Sequence, residues 1–160
     1  MKTKAISEFY EQCYQFNQVA GKLDNVKIQD IYNQLLLIKE ELDEAFHAYQ
    51  TEDAEGILDA HCDLSVVVAG LGFILKELGF KVEDALLETS KNNLTKFIAG
   101  EDSEKVSATI AMLAEQGVEA RMFYNKENDL IVIKDSNNKI RKPVGFVSNS
   151  LIKFVPKEFV

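Results

Sequence analysis

The stretch that decides the fold is KEELDEAFHAYQTEDAEGILDAHCDLSVVVAGLGFIL, residues 39–75. Its first part belongs to a run of apolar residues spaced three and four apart over about 29–50, which predicts a long helix. A second helix is predicted over about 54–78 after a short polar turn at 51–55. This helix is apolar on every side after Leu64, as is typical of a helix at the centre of its domain. Gly70 and Gly72 weaken it intrinsically, so we expect close approach of a neighbouring helix there.

The sequence on either side extends this pattern into a bundle. Further helices are predicted over 4–16, 82–97 and 103–116, and the helix over 29–50 should face inward with Ile31, Leu35, Ile38, Leu42, Ala45 and Tyr49. After Gly117, VEARMFY and DLIVIKD are rich in strand-forming residues and flank the turn NKEN. We therefore expect an all-α bundle of four to five helices at 1–100, with a helix and a small β hairpin at 101–160 as an extension of the same domain.

Charge and composition limit the possible functions. The net charge of −8 argues against binding of nucleic-acid polymers, whose phosphates demand a basic surface. A nucleotide substrate remains possible, because a bound divalent cation reverses the local sign. The N-terminal MKTKAISEFYEQ has no apolar core of the signal-peptide kind, and the apolar run 66–75 is too short to span a bilayer. We expect a cytoplasmic protein without a membrane partner, in which Cys13 and Cys62 are reduced, partly buried thiols.

Acidic residues mark both predicted helices of the central stretch. Glu40, Glu41 and Glu44 share one helix face, because they are spaced three and four apart. Asp59 and Asp63 stand four apart and project from one side of the following helix. Burial of uncompensated carboxylates costs several kcal/mol, roughly, so this pattern favours a bound cation over a merely solvated acidic face. Two antiparallel helices would bring both groups together, and their oxygen ligands favour Mg²⁺, or Mn²⁺, over zinc.

A di-iron centre is a competing interpretation of the same helices. Glu44 and His47 form a Glu-x-x-His pair, which is typical of di-iron carboxylate bundles. Such centres need a second pair, but Leu58 stands three residues before His61. This alternative is therefore weaker than a magnesium site.

Polar residues at the end of the fourth predicted helix suggest a phosphate contact. Asn93 and Lys96 are three apart within SKNNLTKF, so they share a helix face. A lysine and an amide suit a phosphate chain that also contacts metal ions. An ordinary polar helix end explains the same residues equally well.

The order and spacing of these motifs resemble the all-α NTP pyrophosphohydrolase superfamily, and most closely its MazG-like branch in phages and bacteria. The superfamily also includes the dimeric dUTPases and phosphoribosyl-ATP pyrophosphohydrolase. The motifs that carry the resemblance are Glu40-Glu41-x-x-Glu44, Asp59-Ala-x-x-Asp63, Gly70, Asn92-Asn93-Leu94-Thr95-Lys96 and Asn138-Lys139-Ile140-Arg141-Lys142-Pro143. Much of the superfamily has Glu-x-x-Asp on the third helix. Here position 60 is alanine, and the acidic residue is Asp59.

The resemblance implies hydrolysis of a nucleoside triphosphate, a dNTP or NTP, between its α and β phosphates. It implies that Glu41, Glu44 and Asp63 bind Mg²⁺, that Asp59 is a further possible ligand, and that Glu40 orients or deprotonates the attacking water. It also implies that Asn93, Lys96 and Lys142 contact phosphate. The nucleotide base would meet the first helix and its loop, where Asn17 and Gln18 are the expected contacts.

The predictions of assembly and biological role rest mainly on the resemblance. It implies a homodimer or a homotetramer, since a helix as apolar as the third is better covered by pairing. A non-catalytic helical module that binds a nucleotide or a partner is the alternative from another functional class.

Overall fold

A computed structural model describes residues 3–160, and helices dominate this part of the chain. Its regular elements are α1 (Thr3–Val19), α2 (Ile28–Gln50), α3 (Ala54–Glu77), α4 (Val82–Leu94), β1 (Ile98–Ala99), α5 (Ser103–Glu115), β2 (Ala120–Asn125), β3 (Leu130–Asp135) and the short 3₁₀ helices Ile152–Phe154 and Lys157–Phe159. The expectation of a mostly helical protein with a C-terminal hairpin is confirmed. The strands form one small antiparallel sheet.

The chain divides into two compact units. The first, which we call the helical unit, runs up to Val82 and also includes Ile152–Val160. The second, which we call the mixed unit, is Glu83–Leu151. This division falls at the first residue of α4 and returns the last nine residues to the helical unit. Each unit is described by itself.

The helical unit is built on a hairpin of α2 and α3. Asp53 begins α3 by accepting a hydrogen bond from the Gly56 backbone N–H at 3.0 Å, which satisfies one donor of the first turn. Further along, a Cβ on Gly70 would lie 2.9 Å from Gln34 Nε2 and 3.3 Å from Asn17 Oδ1. The expected close approach of neighbouring helices at Gly70 is therefore confirmed. At Gly72 a Cβ would meet only Val82 Cγ1, at an ordinary 3.7 Å.

The buried face of α2 differs from the predicted apolar stripe. Leu35 and Leu42 are exposed, and Tyr49 is 73% exposed, so the prediction that they face inward is wrong. The buried residues of α2 are instead Gln34 and Ala48. Gln34 is only 3% exposed and donates from Nε2 to the Val67 carbonyl of α3 at 2.7 Å. Small and amide side chains let the two helices pack more closely than large apolar ones would.

The mixed unit has a hydrophobic core of its own. Its sheet has the order β1-β3-β2, and Ile98 of β1 pairs with Ile131 of β3. One face of this sheet packs on α5, and the buried core consists of Ile98, Val106, Leu113, Ile131 and Ile133. The helix predicted over 82–97 ends at Leu94, because the chain turns there and enters β1. This short strand was missed by the sequence analysis.

Helix α3 has the length and composition that a membrane-spanning helix needs, and among the described residues it alone does. Core helices share these properties. The apolar run 66–75, which we judged too short to span a bilayer, is thus part of a 24-residue helix.

Candidate metal centre

The hairpin of α2 and α3 brings the two acidic motifs to the same level. The connecting turn is only three residues long, with Glu52 in the left-handed backbone region at φ 56°. Glu41 and Asp63 each lie eleven residues from Glu52, on opposite sides of the turn. In an antiparallel hairpin this equal spacing places the two residues opposite each other. The predicted juxtaposition of the acidic motifs therefore agrees with the local geometry.

Glu41 occupies the centre of the acidic group. It lies on the half-buried side of α2, between the buried residues Gln34 and Ala48. Partial burial is the first cause that raises the pKa of the Glu41 carboxyl above its ordinary value. Repulsion between carboxylates is the second cause, and the neighbours responsible, in decreasing order of effect, are Glu44, Asp63, Glu40 and Asp59. All five predicted acidic residues thus form one electrostatically coupled group.

The order of these effects ranks the carboxylates of α3. Asp63 acts on Glu41 more strongly than Asp59 does. Both aspartates are exposed, and both act across the hairpin on the Glu41 carboxyl. Ala60, next to Asp59 in α3, is buried at 4% exposure. The ligand roles of Asp63 and Asp59 stay predictions.

An open groove runs along one side of the hairpin. Its volume is about 610 Å³, and Glu40, Glu44 and Asp59 line it, whereas Glu41 and Asp63 do not. His47 lines the same groove, and Lys39 forms an ion pair with Asp43 at its edge. His61 is exposed on α3. The groove is wide enough to admit a small ligand beside the carboxylates.

The five carboxylates have no cationic partner within residues 3–160. None of them forms an ion pair or a hydrogen bond with a lysine, arginine or histidine in that range. No three histidine, cysteine, aspartate or glutamate side chains are gathered closely enough there to hold a metal ion as they stand. A cation would therefore have to draw the side chains together by changing their rotamers. Except for the half-buried Glu41, these side chains are exposed and free to turn.

The two residues expected to meet the nucleotide base differ in accessibility. Asn17 is buried at 2% exposure, and its Nδ2 donates to the Cys13 carbonyl at 2.8 Å. Gln18 is exposed at the end of α1.

The two cysteine thiols also differ in accessibility. Burial raises the pKa of Cys13, whereas Cys62 is exposed, so the expectation of partial burial is wrong for Cys62.

The predicted phosphate contacts belong to the mixed unit. Lys96 Nζ donates to Asn93 Oδ1 at 2.7 Å, and Lys142 Nζ donates to Ser148 Oγ at 3.2 Å. Lys96 and Lys142 line a common groove, to which Lys139 and Arg141 also contribute. The sequence analysis named these last two residues only as members of the motif 138–143 and gave them no role. A run of three cations within residues 139–142 of an acidic chain is the signal that could have identified them.

Known proteins offer no further guide to this arrangement. No family model, curated protein or solved structure matches the chain.

Proposed function

We propose that this protein is a Mg²⁺-dependent nucleoside triphosphate pyrophosphohydrolase, with the helical unit as the core of an all-α NTP pyrophosphohydrolase bundle. One observation carries the proposal: the half-buried Glu41 is surrounded by four further carboxylates from two facing helices, and none of the five has a counter-ion within residues 3–160. On a fully solvated acidic face every member would be exposed, whereas Glu41 is half-buried. A bound cation would offset the repulsion between these carboxylates. It would thereby explain why an acidic residue occupies this half-buried position.

The donor set fits magnesium or manganese. It consists of carboxylate oxygens alone, which hard divalent cations prefer, and it includes no thiolate. We assign Glu41, Glu44 and Asp63 as ligands and Asp59 as a weaker fourth. Magnesium held by these residues would make a water more acidic and would neutralise phosphate charge. A di-iron centre is less well supported, because only one Glu-x-x-His pair, Glu44 and His47, is present.

The remaining roles follow from exposure and charge. Glu40 lines the open groove, so its carboxylate is accessible to a water that enters with the substrate. It accepts the proton as the water oxygen bonds to the α phosphorus and the α–β bridging bond breaks. The products are a nucleoside monophosphate and pyrophosphate. Asn93, Lys96 and Lys142 contact phosphate, and Gln18 meets the base, while Asn17 supports α1 from inside.

We also propose that the chain acts as a homodimer or a homotetramer. The apolar residues of α2 that do not face α3 support this, since Leu35, Leu42, Phe46 and Tyr49 are all exposed. Leu42, Phe46 and Tyr49, together with Ala45, line one shallow apolar depression. A continuous apolar surface of this kind favours pairing with another copy.

A non-catalytic nucleotide-binding module is the second candidate. It is favoured by the fact that the carboxylates of residues 3–160 are not gathered into a ready metal-binding group. In this case the protein binds a nucleotide with or without magnesium but releases no pyrophosphate.

The test is a screen of the common NTPs and dNTPs with purified protein, with Mg²⁺ and with EDTA. We expect Mg²⁺-dependent release of pyrophosphate from at least one nucleotide. Glu41→Gln should lower kcat/KM by a factor on the order of 100, because loss of an anionic ligand weakens cation binding.

Glu11→Gln is the matched control, because it removes the same charge from an exposed site on α1. It should retain wild-type activity. Full activity of Glu41→Gln would contradict the assignment of the site. Binding without turnover would favour the second candidate, and release of orthophosphate would indicate a different phosphohydrolase chemistry.

A further inference from the structure

The mixed unit contains a groove whose charge is opposite to that of the chain as a whole. Its volume is about 530 Å³. Four cationic side chains and no acidic ones line it within the described part of the chain, and the cations are Lys96, Lys139, Arg141 and Lys142. In a protein of net charge −8, such a concentration of positive charge is the exception. We call it the basic groove.

Main-chain hydrogen bonds hold the basic groove in place. The Arg141 N–H donates to the Ile133 carbonyl at 2.8 Å, and the Asp135 N–H donates to the Lys139 carbonyl at 3.0 Å. The segment that carries three of the cations therefore continues the sheet beside β3. On its other side the Val144 N–H donates to Thr109 Oγ1 of α5 at 3.0 Å. The groove is thus preorganised, which lowers the entropic cost of binding a ligand.

The side chains are also positioned, and most of their charge remains available. Arg141 forms an ion pair with Asp135 at 3.4 Å, which orients the guanidinium and offsets one positive charge. Lys142 Nζ lies 5.0 Å from the centre of the Phe146 ring, and Lys96 is held by the neutral amide of Asn93. No carboxylate within residues 3–160 pairs with Lys96, Lys139 or Lys142. Three unneutralised ammonium groups therefore surround one opening.

The chemistry of the groove defines the ligand. Ammonium and guanidinium groups that converge on one opening recognise phosphate oxygens. The remaining lining is largely apolar and includes Met112, Leu113, Ile140 and Phe146. Such a floor suits a flat organic group attached to the phosphates.

We propose that the basic groove binds the oligophosphate chain of a nucleotide, with Lys139 and Arg141 acting together with Lys96 and Lys142. The inference deepens the phosphate-binding part of the proposed function, but it rests on neither the metal nor turnover. The phosphates come either from the substrate of the carboxylate site or from a second nucleotide that binds only here.

The test measures binding of inorganic tripolyphosphate to the full chain in EDTA, by calorimetry and by NMR chemical shifts. We expect saturable binding with the largest shifts over residues 139–146. The double variant Lys139→Gln/Lys142→Gln should weaken binding on the order of tenfold or more, because it removes two charge-assisted contacts. Both lysines are exposed, so the variant should keep the wild-type fold, which its NMR spectrum checks.

The control is Lys105→Gln/Lys126→Gln, which removes two charges from the same unit outside the groove. Equal weakening in both double variants, or absence of saturable binding to the wild type, would overturn the proposal.

Steady-state kinetics then distinguish the two sources of phosphate. A raised KM in Lys139→Gln/Lys142→Gln identifies the substrate. An unchanged KM identifies a separate nucleotide and contradicts the substrate-phosphate role proposed for Lys142. If the wild-type protein hydrolyses no nucleotide, the binding result still stands. Failure of the proposed function is therefore distinguishable from failure of this proposal.

Discussion

The two compact units bury different kinds of side chain. The buried residues of the mixed unit are mainly large and aliphatic, with Ile98, Ile131 and Ile133 at its centre. In the helical unit, Ile74 is the only large aliphatic side chain among the buried residues that the structure describes. Its other buried residues are small or polar: Cys13, Asn17, Gln34, Ala48, Ala60, Ala69 and Gly70.

This difference shows what each unit is organised around. A core of interlocking aliphatic side chains stabilises the mixed unit by removing apolar surface from water. The helical unit instead has close helix contacts at small residues and a carboxylate, Glu41, on the half-buried side of α2. Much of its apolar surface, including that of Tyr49, is exposed. We infer that the helical unit depends more on what it binds, a cation or another copy of the chain.

The largest expected effect concerns the aliphatic core of the mixed unit. Ile133 is 1% exposed in that core, so Ile133→Ala should lower the free energy of unfolding by about 2–5 kcal/mol through lost burial and a cavity. Chemical denaturation followed by NMR measures this and reports on each unit. Leu87→Ala, at a position 58% exposed, should change stability by less than about 0.5 kcal/mol. Similar effects of the two variants would mean that the described core does not stabilise the unit.

A smaller effect on stability is expected for substitutions of the two glycines of α3, Gly70 and Gly72. Replacement of either Gly70 or Gly72 by alanine raises helix propensity by about 1 kcal/mol. At Gly70 the new Cβ would come within 2.9 Å of Gln34 Nε2, which itself donates to Val67, so overpacking should cancel or exceed this gain. Thermal denaturation should therefore rank Gly72→Ala above Gly70→Ala by roughly 1–2 kcal/mol. The reverse order would contradict the close packing of α1, α2 and α3 at Gly70.

The smallest effect concerns the charge of Glu41 in protein without metal. Like charges three or four residues apart on a helix cost roughly 0.2–0.5 kcal/mol per pair, so Glu41→Gln should raise stability at neutral pH by a few tenths of a kcal/mol. Because the folded state raises the pKa of Glu41, the folded protein binds this proton more tightly than the unfolded chain does. Stability contributed by the protonated form is therefore lost as the pH rises through the raised pKa.

The pH dependence of the stability change provides a control for this prediction. The gain from Glu41→Gln should be greatest above the raised pKa and should vanish well below the ordinary glutamate pKa, where both states are protonated. Glu11→Gln, at an exposed site on α1, should show a smaller gain at every pH. A destabilised Glu41→Gln variant at neutral pH in EDTA would mean that the carboxylate makes a favourable contact within the protein.

Local sequence patterns predicted the helical hairpin closely. The helix expected over 29–50 is Ile28–Gln50, and the one expected over 54–78 is Ala54–Glu77. Both have strong helical periodicity, and the polar turn between them is short. The coupling of Glu41 with Asp63 follows from this hairpin, since it needs only two antiparallel helices of known register.

Features that depend on partners distant in sequence were not predictable in the same way. Helix α4 ends early because Ile98 pairs with Ile131, thirty-three residues later. Half of the predicted apolar stripe of α2 is exposed, at Leu35, Leu42 and Tyr49, because hydrophobicity alone does not reveal that α3 packs on Gln34 and Ala48. The basic groove was only half predicted, since β3 determines the placement of Lys139 and Arg141.

The most direct test of the central claim is a titration with Mn²⁺ followed by paramagnetic broadening of backbone amide signals. Mn²⁺ substitutes for Mg²⁺ at oxygen-ligand sites and broadens signals from nearby nuclei. We predict that broadening at low occupancy centres on residues 40–44 and 59–63, and that Asp63→Asn abolishes it while Glu11→Gln does not. Broadening that centres elsewhere, or that persists unchanged in Asp63→Asn, would contradict a metal centre on the hairpin of α2 and α3.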